Sequence, residues 1–190
     1  MPRTGLDAAA VVAAAATLAD EQGVQGLTLA RLAERLGVRT PSLYQHVGGL
    51  EDLRARLTAH GATLLAAAIA EAAAGRSGRD ALAAVADAYR AFAHAHPGLY
   101  GAMQRPPDPA DADAVQTGER VVELVAAVLR GYALEGDDAI HGVRLVRAVL
   151  HGFVSLEAAG GFALPLSLDE TWRRLVEMLD RGLRTDSGVS

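Results

Sequence analysis

A chain of 190 residues that is 51% hydrophobic but only 4% aromatic, with alanine supplying much of the apolar total, favours closely packed helices over sheets. No β-branched, period-two segment with turn chemistry stands out, so the expected class is all-α, as one compact domain or a small domain joined to a larger one. With no cysteine there are neither disulfides nor thiolate metal sites, and a net charge of −5, carried by 18 arginines without a lysine against 23 acids, argues against a protein that coats nucleic acid indiscriminately.

The first helix is expected from about Asp7 to Gln22, stopped by Gly23, with Val11, Val12, Ala15 and Leu18 on one apolar face. Its run from Ala8 to Ala19 could pass for the core of a secretion signal. Asp7 stands at its entrance, however, Asp20 and Glu21 follow closely, and crossing a bilayer takes about 20 apolar residues. A buried helix in a cytoplasmic protein without a membrane segment is the expectation. Arg3 and Thr4 precede it as a short arm that either touches DNA or simply frays.

The stretch Leu27 to Leu53 is the most informative. Thr28 is a good N-cap, and Leu29, Leu32, Ala33 and Leu36 recur at the steps of a helix with one apolar face. Gly37 ends that helix in the left-handed conformation a C-terminal cap wants, and Val38 packs into the elbow. Thr40 reads as a second N-cap, with Pro41 at the first helical position, where its missing N–H costs nothing. Leu43 and Val47, four apart, face inward and leave Ser42, Tyr44, Gln45 and His46 on the other faces. This is a helix-turn-helix, the unit that lays its second helix in the major groove of DNA. Residues 1–60 hold six arginines and six acids, so the neutral first third must bind through a few well-placed arginines.

The pattern LxxLAxxLGV, then Pro41, Leu43, Tyr44 and His46, then Glu51-Asp52-Leu53, resembles the DNA-binding domain of TetR-family transcriptional regulators. The resemblance implies DNA contacts from Thr40, Ser42, Tyr44, Gln45 and His46. Gln45 is suited to a base edge, because its amide pairs bidentately with adenine. Tyr44 and His46 suit phosphates, assisted by Arg39, and Thr28 can donate to a phosphate beside its helix. The chain departs from the family at Gly49-Leu50, where Ser-Lys or Asn-Lys is common. A helix cap and a phosphate-binding lysine are missing there, and Arg54 or Arg56 is the candidate replacement.

A long helix is expected from Leu50 to about Ala74, broken at Gly75–Gly78. Another runs from Asp80 to about His94 with Leu82, Val85, Tyr89 and Phe92. Pro97 and Gly98 force a break before a short helix through Met103 and Gln104, and residues 105–109 form a loop. Asp111 or Asp113 can cap a helix to about Tyr132. The helix from Asp138 to Ala159 is apolar but carries Arg144, Arg147, His151 and Ser155 as one stripe, which must meet a carboxylate across a dimer interface, a polar ligand group, or solvent. Ser167 to Glu170 reads as a capping box opening the last helix, which holds Trp172, Leu175, Val176, Met178, Leu179 and Leu183. That makes about nine helices, in a helix-turn-helix domain over 1–56, a sensing and dimerisation domain over 57–185, and a tail over 186–190.

The segment from His96-Pro97-Gly98-Leu99-Tyr100 through HGFVSLEAAGGF also resembles a TetR-type regulatory domain. It implies a helical sensor whose last two helices pair with a second subunit, with Phe153, Val154, Trp172, Val176 and Leu179 as seam residues. An effector pocket is expected among Tyr89, Phe92, Tyr100, Met103, Arg147, His151 and Phe162. Neither a zinc-binding His-Glu-x-x-His, a Gly-x-Ser-x-Gly elbow, nor a nucleotide fingerprint is present, and His94 and His96 would make a poor metal pair. The reading is therefore not an enzyme and has no cofactor or metal. It is a homodimeric, ligand-responsive repressor of a palindromic double-stranded DNA operator, with an unknown small-molecule effector. The alternative is a helical small-molecule-binding or adaptor protein that no longer binds DNA.

Overall fold

The structure is a computed structural model that describes residues 6–104 and 112–185. The expected arm at Arg3 and Thr4, the loop at 105–109, Asp111 and the tail at 186–190 lie outside the described residues. Within them the secondary structure is helical throughout: α1 (Ala8–Gln22), a 3-10 turn (Val24–Gly26), α2 (Leu29–Leu36), α3 (Thr40–Leu43), α4 (Leu50–Ala73), α5 (Gly78–Ala95), α6 (Pro97–Ala102), α7 (Ala112–Leu129), a second 3-10 turn (Arg130–Tyr132), α8 (Gly136–Ala158) and α9 (Leu168–Thr185). The all-α class and the nine helices read from the sequence are present.

The chain divides into two compact units, Met1–Leu64 with Ala95–Gly118, and Leu65–His94 with Glu119–Ser190. In the first, Asp7 caps α1 by accepting the Ala10 amide at 2.7 Å. Helix α1 then packs against α2, the first 3-10 turn and α6. Val11, Ala15, Leu27, Leu32, Leu43, Leu53, Leu57 and Leu99 supply the buried core. The close approach of α6 to α1 depends on Gly98, where a Cβ would stand 2.1 Å from the Ala19 carbonyl carbon and oxygen. The same contact gives α6 its cap: the Asp20 carboxylate accepts the Gly98 and Leu99 amides at 2.8 and 3.0 Å and meets His96 Nδ1 at 3.0 Å.

In the second unit α8 packs against α9, and Ile69, Leu82, Val85, Leu129, Val146, Leu150, Val154 and Leu183 are buried. Phe153 lies between Phe162 and Trp172, at centroid distances of 5.0 and 5.1 Å. The Arg90 guanidinium covers the Phe153 and Trp172 rings at 5.5 and 5.3 Å while its Nε donates to Glu157 at 2.9 Å and its Nη1 to Asp169 at 2.8 Å. That bond from Arg90 holds the Glu157 carboxyl below the usual carboxylate range, against the opposing effect of burial. By length and mean hydropathy alone α8 could cross a membrane. Val143, Val146, Leu150 and Val154 turn one face of it into the core of the unit, while Ile140, Leu145 and Leu156 on the rest are about half exposed.

Several boundaries differ from the sequence expectation. Helix α5 begins at Gly78 rather than Asp80, and α8 at Gly136 rather than Asp138. Helix α7 stops at Leu129, and Arg130–Tyr132 tightens into a 3-10 turn because Gly131 runs against Gly78; a Cβ at Gly131 would lie 2.7 Å from the Gly78 nitrogen. Asp113 sits inside α7 and not ahead of it. Of the capping box, Ser167 does accept the Glu170 amide at 3.3 Å, but the Glu170 carboxylate turns to Arg173 and Arg174 instead of reaching back. Those arginines bring its pKa down to about 2.

Candidate nucleic-acid interface

The helix-turn-helix forms by the local chemistry read from its sequence. Thr28 has extended backbone and its Oγ1 accepts the Arg31 amide at 3.2 Å. Leu32 and Ala33 turn inward, and Gly37 takes φ 65°, its amide meeting the Ala33 and Glu34 carbonyls. The Val38 amide then returns to the Ala33 carbonyl at 3.0 Å, fixing the elbow.

The second helix starts one residue earlier than its cap pattern predicts. Arg39 occupies the N-cap position with its carbonyl accepting the Ser42 amide at 2.9 Å, Thr40 is the first helical residue, and Pro41 follows in the first turn. Helix α3 is short, ending at Leu43, and Tyr44–His46 continue as a turn. Leu43 and Val47 are buried anchors, as expected. Around them Arg39, Tyr44 and Gln45 are exposed, and Thr40, Ser42 and His46 are half-buried. Thr28 is exposed at the start of α2. All seven residues expected to meet DNA therefore belong to the first unit, and none is enclosed by it.

The electrostatics of this unit were not readable from the sequence. Arg31 Nη1 donates to Gln22 Oε1 and to the Gly26 carbonyl, both at 3.0 Å. Arg35 grips Glu21 bidentately at 2.6 and 2.8 Å, an interaction that lowers the Glu21 pKa and raises that of Arg35. Arg56 pairs with Asp52 at 2.9 Å, and Arg54 with Glu51 at 2.5 Å. Arg54 and Arg56, the candidate replacements for the absent lysine, are each paired with a carboxylate on their own helix in the free protein. Asp52, in the first turn of α4, reaches back to the preceding turn, its Oδ2 accepting the Gly48 amide at 2.8 Å. Gly49 follows with φ 134°, a conformation that suits glycine. Among the described arginines of the first sixty residues, Arg39 alone has no ion pair or side-chain hydrogen bond.

Phe153, Val154, Trp172, Val176 and Leu179, the expected seam residues, are each at most 7% exposed within the single chain and pack in the core of the second unit. The large apolar side chains left open on α8 and α9 are Ile140, 49% exposed, Leu145 and Leu156, 51% exposed, and Met178, 58% exposed. The polar stripe meets solvent along part of its length: Arg144 and Arg147 are exposed, and His151 and Ser155 are half-buried with Ser155 Oγ 3.3 Å from His151 Nδ1.

The residues expected to form an effector pocket are drawn from both units. Tyr89, Phe92, Arg147, His151 and Phe162 belong to the second unit, Tyr100 and Met103 to the first. Tyr89, Phe92 and Tyr100 are buried, Met103 and Phe162 half-buried. A cleft of about 600 Å³ does run between α5 and α9, lined by Arg79, Asp87, Arg90, Trp172, Arg173 and Glu177 among others, and none of the seven contributes to it. Several of its polar groups are paired: Trp172 Nε1 donates to Asp87 at 2.7 Å, and Arg173 donates to Glu177 at 2.7 Å.

A glycine-elbowed helix pair with an open second helix, joined to a larger helical unit, defines a helix-turn-helix DNA-binding protein. Residues 11–57 match the model for bacterial regulatory proteins of the tetR family, and residues 82–179 match the tetracyclin repressor-like C-terminal domain. An uncharacterized HTH-type transcriptional regulator, YobS of Bacillus subtilis (strain 168), is 38% identical over 186 residues, covering 97% of this chain and 92% of its own. Among solved structures, a protein of unknown function from Rhodococcus sp. RHA1 aligns with a TM-score of 0.82 at 26% identity, covering 97% of this chain and 99% of the other. A TetR variant from Acinetobacter baumannii AYE, solved in complex with minocycline, aligns with a TM-score of 0.67 at 25% identity over 95% of this chain and 97% of the other. The chain belongs to the tetR family and is a transcriptional regulator.

Proposed function

We propose that the protein is a ligand-responsive, cytoplasmic repressor that binds a palindromic operator as a homodimer. The observation that carries the reading is the open surface from Arg39 to His46, anchored from beneath by Leu43 and Val47 and left uncovered by the unit that builds it. Thr28, Tyr44 and His46 hold phosphates in this reading, Thr40 and Ser42 line the groove, and Gln45 presents its amide to an adenine edge. Two copies are needed, because two recognition helices spaced by one DNA turn match the twofold symmetry of a palindrome. Leu145, Leu156 and Met178 supply apolar surface for the second copy.

The minocycline complex of a structural relative supports a small-molecule effector here, taken up by the helical unit that holds Tyr89, Phe92, His151 and Phe162. Such a molecule releases DNA only if it binds the DNA-incompetent dimer more tightly. Helix α4, which contributes residues to both units, is the proposed coupling element. The decisive experiment is a gel shift of the purified protein against DNA flanking its own gene, with sedimentation of the same sample. A discrete complex at sub-micromolar protein supports the reading. A failure to shift any flanking DNA favours a helical binding protein that has lost its operator.

A further inference from the structure

We propose that Arg39 reads a guanine in each operator half-site and is the principal specificity-determining cation of this regulator. The assignment rests on the DNA-binding reading above and adds a ligand, the guanine O6/N7 edge, that nothing in that reading requires. Three observations converge on it.

The first is availability. Within the first unit Arg35 is bound bidentately to Glu21, Arg54 to Glu51, and Arg56 to Asp52, while Arg31 spans Gln22 and the Gly26 carbonyl. Each would have to leave a charge-assisted or backbone-anchored bond before meeting DNA. Arg39 is exposed and has no such bond to break. The second is position. Arg39 stands immediately before Thr40, at the leading end of the segment, and in helix-turn-helix proteins the leading residues of the second helix meet base edges. Gln45 and His46 lie at the opposite end, beyond the last residue of α3. The third is chemistry. A guanidinium matches guanine O6 and N7 bidentately, the commonest specific contact in the major groove; its fork fits a phosphate as well, and the leading position on the helix is what favours the base. In a segment with six arginines and six acids, affinity cannot rest on bulk attraction, and the one uncommitted guanidinium among its described arginines carries correspondingly more of the discrimination.

The test is enrichment of binding sites from a randomised duplex library by the full-length wild-type protein, Arg39→Ala and Arg39→Lys, followed by affinity titration on the selected site and on copies with that guanine replaced. Wild type should enrich a symmetric pair of guanines, one per half-site. Replacing one of them should weaken wild-type binding roughly 5- to 150-fold and leave Arg39→Ala indifferent. The rest of the motif should survive in the variant, and because the side chain is exposed its melting temperature should not move. Arg39→Lys should keep part of the guanine preference. The assignment is overturned if Arg39→Ala enriches the same motif with uniformly lower affinity and a shallower salt dependence, which is the signature of a phosphate contact. It is equally overturned if the variant is indistinguishable from wild type. Should wild type enrich no sequence, the DNA-binding reading falls, and this one with it.

Discussion

A single missing methyl group fixes how closely α6 meets α1 inside the DNA-binding unit. Gly98 has ordinary helical backbone, so its role is space and not conformation: a Cβ there would overlap the backbone of Ala19 and Asp20, which cannot rotate away as a side chain can. Gly98→Ala should therefore destabilise the protein by about 3 kcal/mol, read as a lowered midpoint in urea denaturation. Gly101→Ala, one turn on and 3.8 Å from the nearest atom, should be close to neutral and serves as the control. The neighbouring carboxylate makes an independent case. Asp20 accepts two α6 amides and contacts His96, so Asp20→Ala leaves those donors without their partner and should cost about 1.5–3 kcal/mol by the same measurement. At the recognition surface, Gln45→Ala should relax preference at one operator position by about 1–3 kcal/mol, and equal loss on every sequence would show that Gln45 reads no base.

At the scale of elements, legibility divided along the range of the interactions. The caps at Asp7 and Thr28, the Gly37 elbow and the inward pair Leu43 and Val47 were visible because each is settled within about four residues of chain. Arg35 with Glu21, Asp20 with α6, and Arg90 with Glu157 were not, because they join residues 14, 78 or 79, and 67 apart, and sequence spacing carries no record of them. The same limit applies to the expected seam: periodicity marks an apolar stripe but does not say whether the stripe faces its own core or a partner. The Arg90–Glu157 pair ties α5 to α8, with side chains 15% and 11% exposed, and Asp169 at the start of α9 completes the junction. Glu157→Gln should destabilise the protein near neutral pH by about 1.5–3 kcal/mol. The sign with pH follows from the lowered Glu157 pKa: the carboxylate contributes stability above its unfolded value and loses it as pH falls through its lower folded value. The gap between wild type and variant should accordingly hold down to the ordinary carboxylate range and close in acid below it, and a gap that stays constant through and below that range would refute the pairing as its source.

For the whole molecule the consequence lies in which apolar surface is spent inside the chain and which remains. Trp172 and Phe153 are consumed by the monomer, packed against each other and under Arg90, so either truncated to alanine should unfold the chain by about 3–5 kcal/mol and lose DNA binding only through that loss. Leu145, Leu156 and Met178 are in the reverse position: they contribute little to the monomer and stand ready for a second copy. Leu145→Glu with Met178→Glu should leave the helical circular-dichroism spectrum and its single-chain stability nearly unchanged. In sedimentation velocity the same double variant should run as a monomer. Because an operator of two half-sites is held by both recognition helices at once, separating the subunits forfeits the effective concentration that links them, and operator affinity should fall by roughly 100-fold or more. Half-site affinity, measured on a duplex carrying one arm of the palindrome, should be unchanged, since Arg39 to His46 are untouched. A double variant that still sediments as a dimer would place the subunit contact elsewhere on the molecule, and one that stays monomeric yet binds the full operator at wild-type affinity would remove the need for a dimer altogether.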